Sequence, residues 1–165
     1  VRDLIATGFI TEENGLLFEQ EHGIGALVPF MARAFPDATL VPIAFRGDLP
    51  SDLIPAFSSA IRDLWDEGTV VILSADMSHY LTSEEALTRD KDTIVWLQTK
   101  NEDIALATDN NIDSGKSASA LFSAMEHACP DAAFAMFDHA VSSDYGGDDG
   151  YATSYVTGAW SCPRP

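Results

Sequence analysis

A chain of 165 residues, 46% of them hydrophobic, is one domain long and apolar enough to bury a core. Its 9 Lys and Arg stand against 26 Asp and Glu, and the formal charge of −17 repels phosphate backbones and anionic lipid surfaces alike. Nucleic-acid and membrane partners are thereby argued against, and a single domain over residues 1–165 is expected. The same acid excess suits a surface kept soluble in high salt.

No apolar run approaches the roughly 20 residues that span a bilayer. No basic stretch followed by an apolar core marks an export signal, so the cytoplasm is the expected compartment. Cys129 and Cys162 lie far apart without CxxC or Cys/His spacing, and indicate neither a disulfide framework nor a zinc module. The chain opens VRDLIATG without an initiator methionine, as a processed chain or a piece of a longer protein does.

In chain order, the three-to-four spacing of apolar residues in GIGALVPFMARAF predicts a helix from about Ile24 to Phe35, starting just after His22. ATLVPIAF reads as a buried strand. SDLIPAFSSAIRDLWDEG is an amphipathic helix opened by a capping Ser51 and stopped at Gly68, and TVVILSA follows as a second buried strand. Thr82 to about Ala107 is helical with an interruption near Lys100, and Ser114 opens a further helix in SGKSASALFSAMEHA. DAAFAMFDHAV and YATSYVTGAW are strands, separated by the glycine- and aspartate-rich SSDYGGDDG and close enough to pair directly. Helices alternating with the early strands predict an α/β fold, a three-layer α/β/α sandwich with a mixed sheet.

Ligands of open α/β sheets sit at the carboxyl ends of strands, and SADMSHY occupies such an end. There Asp76 and His79 are three residues apart, a spacing that lets a carboxylate and an imidazole approach one ligand, proton or metal. The competing structural reading is that Asp76 caps the turn and His79 packs. His22 lies at a helix start between Glu19 and Glu21 on one side and Gly23 on the other, where the helix dipole keeps an imidazole neutral and able to ligate. His127, late in a helix, and His139, after an acidic residue in a strand, suit structural roles. SGKSAS lacks the earlier glycine of a phosphate loop, so an NTPase is rejected. No GxSxG turn is present, which leaves a Ser/His hydrolase a poor reading.

Taken in order, EHGIGALVPFM, PIAFRG, VVILSADMSHY followed by EEALTRDKDTI, SGKSASALFSAM and SYVTGAW resemble the Memo family over essentially the whole chain. The resemblance implies a fold related to the class III extradiol dioxygenases and a site that binds iron or copper in some members. Under it, His22 matches a metal-ligand histidine, Asp76 and His79 match site residues, and Ser114 stands where the family has a cysteine ligand. Gly25 replaces a family glutamate, and nothing matches the family's earlier His-Ala-Gly-Tyr segment, as expected of the C-terminal portion of a longer domain. A neutral serine hydroxyl is a far poorer ligand than a thiolate, so Ser114 weakens any soft-metal site. Three readings follow: an iron or copper cleft of His22, Asp76 and His79 for metal-dependent oxidation; a metal-free module binding a peptide or small molecule; and an extradiol-type dioxygenase.

Overall fold

The computed structural model describes residues 2–8, 10–13, 15–107 and 111–163, the side chains of residues 3, 16 and 19 excepted. The chain divides into two compact units, Val1–Leu49 and Pro50–Pro165.

Among its described residues the first unit holds four short helices: α1 (Arg2–Ala6), α2 (Leu16–Gln20), α3 (His22–Gly25) and α4 (Val28–Ala34). The single helix expected from Ile24 onward is thus two pieces. Glu21 opens α3, its carboxylate accepting the amides of Gly23 at 2.9 Å and Ile24 at 2.6 Å. Pro29, in the first turn of α4, has no amide with which to continue the preceding turn, so a new helix begins there. The segment ATLVPIAF joins no ladder, and Pro42 at its centre offers no N–H to one.

The second unit holds α5 (Ile54–Leu64), α6 (Ser83–Thr99), α7 (Glu102–Leu106), α8 (Gly115–Ala128), β1 (Ala133–Val141) and β2 (Ser154–Ser161). The helix predicted from Ser51 begins as a 3-10 turn, Ser51–Leu53, and ends at Leu64 rather than Gly68. Trp65 is already extended, and the Asp66 carboxylate turns the chain by accepting the Gly68 amide at 2.9 Å. The interruption expected near Lys100 is present. Thr82 and Glu85 form a reciprocal capping box at the start of α6, and Lys100, in the left-handed region at φ 51°, ends it. The Lys100 ammonium then donates to the carbonyls of Pro130 at 3.0 Å and Ala132 at 2.8 Å, tying the end of α6 to the turn before β1.

β1 and β2 pair antiparallel, as their proximity in sequence predicts. The register slips by one residue between Met136 and Asp138, a bulge centred on Phe137. Side chains alternate along a strand, so the bulge changes which residues face the helices. Phe134 and Met136 share a face with Trp160 and Gly158, and beyond the bulge that face continues with His139 and Val141 opposite Val156 and Ser154. Helices cover this face; Tyr155, Thr157 and Ala159 on the other are exposed. Only glycine fits at 158, where a Cβ would stand 2.7 Å from the Ala135 carbonyl oxygen and collide with the Phe134 ring.

The core lies between α6, α8 and the sheet, around Trp96, Leu97, Leu121, Phe122 and Met125, with Phe134, Val156 and Trp160 packed against it. Phe122 sits edge-on to both Trp96 and Trp160, and the Trp160 indole donates to the Leu97 carbonyl at 3.0 Å. TVVILSA, expected as a buried strand, is extended but outside the sheet. Val70, Val71 and Ile72 are exposed, and only Leu73 and Ala75 reach the core. Among the described residues the strands therefore form one two-stranded antiparallel sheet, a mixed helix and strand composition that fits the α/β class, and the parallel pairings that the helix–strand alternation predicts are not among them.

The two cysteines require a correction. Cys129, which ends α8, and Cys162, just past β2, form a disulfide with their Cα atoms 5.8 Å apart. Their spacing gives no sign of this, because the pairing depends on α8 and β2 ending side by side. Closing a 33-residue separation restricts the unfolded chain by about 3–4 kcal/mol in chain-entropy terms. No helix among the described residues is long and apolar enough to cross a membrane.

Candidate functional site

SADMSHY is held from both sides by backbone. The Met77 amide donates to the Ser154 carbonyl at 3.0 Å, the Ser154 amide to the Ser78 carbonyl at 2.9 Å, and the Ser78 amide to the Ser154 hydroxyl at 2.9 Å. Leu81 and Ala152 form a further antiparallel bridge. The chain thus leaves its extended segment along the start of β2 and turns at Tyr80, whose φ of 58° is uncommon for an aromatic residue. On the other side, the Asp76 amide donates to Asp113 Oδ1 and the Asp113 amide to the Asp76 carbonyl, both at 3.1 Å.

These bonds gather Asp76, His79 and Asp113, each offering a ligand atom within 4.8 Å of the other two. His79 Nε2 is buried and has no hydrogen-bond partner among the described residues. It lies 3.7 Å from Asp76 Oδ2, beyond hydrogen-bond range, although the two groups face each other. Ligand atoms about 2.0–2.2 Å from a common ion stand at most roughly 4.4 Å apart, so small side-chain rotations bring all three donors onto one cation. The Asp113 carboxyl titrates above the usual aspartate range. Desolvation is the main cause and the negative charge of Asp76 the second, opposed by the Asp76 amide and by His79.

The stacked rings of Tyr80 and Tyr151, with centroids 4.9 Å apart, flank the cluster, and His79 meets Tyr80 edge-on at 5.3 Å. Both tyrosines are exposed.

A second aspartate–histidine pair lies behind this loop. Asp90, on α6, is fully buried. Its Oδ2 stands 2.7 Å from His139 Nε2; its Oδ1 accepts from Asn111 Nδ2 at 2.8 Å, Ser154 Oγ at 2.9 Å and Ser78 Oγ at 3.0 Å. The Ser78 hydroxyl also lies 2.8 Å from Asn111 Oδ1, so its proton is shared between Asp90 and Asn111. His139 has the structural role expected of it. So does His127, which reaches back one turn to the Ser123 carbonyl.

Asp76 and His79 are thus brought to face each other at 3.7 Å, and His79 also packs edge-on against Tyr80. The third member is Asp113, which the sequence reading passed over for its neighbour Ser114. Ser114 precedes α8 but makes no side-chain cap, and its hydroxyl exchanges a 2.6 Å hydrogen bond with Ser117. The signal for Asp113 was its place in NIDSG, directly before a helix start and beside a candidate ligand. His22 is exposed at the first position of α3, in the first unit, where Glu21 already serves the helix start. The Glu19 side chain lies outside the described residues.

The sequence model of the family described as Memo-like protein matches residues 1–159. A MEMO1 family protein of Caldivirga maquilingensis is 36% identical over 94 residues, 55% of this chain and 32% of the relative. MEMO1 family proteins of Thermotoga petrophila and Thermotoga maritima are 27% identical over 95 residues and 26% over 93. The matched stretch covers 33% of each of these two, so the similarity to the curated relatives spans about a third of their length.

Proposed function

We propose, from the premise that this chain belongs to the Memo-like protein family, that Asp76, His79 and Asp113 bind a divalent first-row metal used in oxidation of a small-molecule or peptide ligand. One observation carries the reading. The buried, unpartnered Nε2 of His79 faces two carboxylates, and a buried imidazole nitrogen without a partner is costly unless a ligand takes its lone pair. Two carboxylates and one imidazole are hard to borderline donors, which favours iron(II) over copper(I). Ser114, a neutral hydroxyl engaged with Ser117, adds nothing to that preference.

When bound, such an ion supplies a Lewis acid and a redox centre. The chain's own groups supply the rest. His79 presents an imidazole nitrogen from a loop pinned to β2, and the Asp76 backbone fixes Asp113 by donating to its carboxylate and accepting from its amide. Desolvation and Asp76 raise the Asp113 carboxyl, and a bound cation would oppose both, so protons and metal compete for this group. The exposed Tyr80–Tyr151 stack beside His79 favours a second reading, in which the same cleft holds a ligand against an aromatic surface without metal.

Metal analysis and anaerobic iron(II) titration of untagged protein decide between them. The first reading expects one ion per chain and loss of at least 90% of it in His79→Ala. Unchanged metal content in His79→Ala and Asp113→Ala leaves the metal-free reading in its place.

A further inference from the structure

We infer that Asp90 is a positioning residue for the Asp76–His79–Asp113 site, its buried carboxylate setting the distance between the two loops that carry the donors. This inference rests on the metal-binding reading above.

The three donors come from two segments, Asp76 and His79 from one and Asp113 from the other, 34 residues later in the chain at the nearest. Each segment sends one side chain inward, and both end on the same atom. Ser78, between Asp76 and His79, and Asn111, two residues before Asp113, both donate to Asp90 Oδ1, at 3.0 and 2.8 Å. The 2.8 Å contact between Ser78 Oγ and Asn111 Oδ1 closes the triangle. Ser154, which also holds the Ser78 backbone, makes the third bond to Oδ1 at 2.9 Å.

Asp90 makes four hydrogen-bond contacts, three on Oδ1 from Ser78, Ser154 and Asn111 and one on Oδ2 with His139, and the residue is fully buried, out of reach of a ligand from solvent. Its chemistry is therefore that of an anchor. The two oxygens divide the work: Oδ1 gathers the donor-bearing loops, and Oδ2 secures Asp90 to His139 on β1. Charge-assisted hydrogen bonds are shorter and stronger than neutral ones, which suits an anion at the point where two loops must keep a fixed spacing. Groups that hydrogen-bond a metal ligand directly change affinity by about 10- to 100-fold when removed, and Asp90 acts one residue further out, through Ser78 and Asn111.

The division of labour makes the test specific. Cobalt(II) is the probe, with affinity from calorimetry and coordination geometry from the visible spectrum, both read well below the melting temperature of each variant. Asp90→Ala is expected to bind cobalt(II) at least tenfold more weakly and with an altered spectrum. Asp90→Asn keeps an oxygen at the Oδ1 position, so its affinity should fall by less than about threefold even though the His139 contact changes. Should Asp90→Ala not fold, Ser78→Ala and Asn111→Ala decide, each expected to weaken binding by threefold or more.

Folded variants that melt earlier but keep wild-type affinity and spectrum would overturn the inference while leaving the metal site intact. A wild-type protein that takes up no cobalt(II) removes the metal-binding reading, and the positioning role goes with it.

Discussion

Two aspartate–histidine pairs lie within one unit of this protein, and they differ in how completely they are partnered. Asp90 and His139 meet at 2.7 Å, with the aspartate fully buried and both of its oxygens hydrogen-bonded. Asp76 and His79 stand 3.7 Å apart, both partly exposed, beside a second carboxylate and with the imidazole nitrogen unsatisfied. The residue types are the same. What distinguishes structural anchor from candidate site is how far each is partnered and open: the first pair is tied to its neighbours and buried, whereas the second has ligand atoms gathered near a common point.

The largest effect expected from this contrast is on stability. Asp90→Ala leaves Asn111, Ser78, Ser154 and His139 without a common acceptor and should cost about 3–5 kcal/mol, as removing one partner of a buried pair does. Asp76→Ala, at a more open position, should cost less than about 0.5 kcal/mol. Urea denaturation at neutral pH measures both, and equal costs would break the contrast.

Next is the hairpin that delivers His139 and Ser154 to Asp90. Gly158→Ala forces a methyl against Phe134 and the Ala135 carbonyl, at about 1–3 kcal/mol. A variant as stable as the parent would show that the close approach of the strands is not needed.

The smallest effect concerns Asp113 and is set by pH. Its folded pKa lies above 3.8, so the folded protein holds that proton more tightly than the unfolded chain does. Ionising it therefore costs stability as pH rises through the folded value, and the cost is absent below 3.8. Asp113→Asn should be more stable than the parent at pH 7, by less than about 1 kcal/mol given its exposure, and should lose that advantage near pH 3.5. An advantage independent of pH would place its origin elsewhere than in the carboxylate.

Several features were legible in the residues themselves because they depend on near neighbours. The break after α6 follows from one left-handed lysine, Lys100, and from Asn101, whose side chain caps the start of α7. The approach of Asp76 and His79 follows from a three-residue spacing on a turn. The antiparallel pairing of the last two strands follows from the short segment between them. Where side-chain chemistry opposed a local pattern, the pattern misled: Pro42 interrupts an apolar run that otherwise reads as a strand, and Pro29 divides a helix.

The rest was decided by segments far apart in sequence. Asp113 joins Asp76 only because two hydrogen bonds, one between backbone groups and one from the Asp76 amide to the Asp113 carboxylate, bridge 37 residues, and Cys129 meets Cys162 only because a helix and a strand end together. The bulge at Phe137 is the sharpest case. Without the extra residue, strand alternation would carry Asp138, not His139, onto the face that meets Asp90, setting a second acidic group against a buried carboxylate. Sequence alone supplied both side chains and the strand that carries them. Which one turns inward depends on the pairing register, a property of two strands together that neither contains by itself.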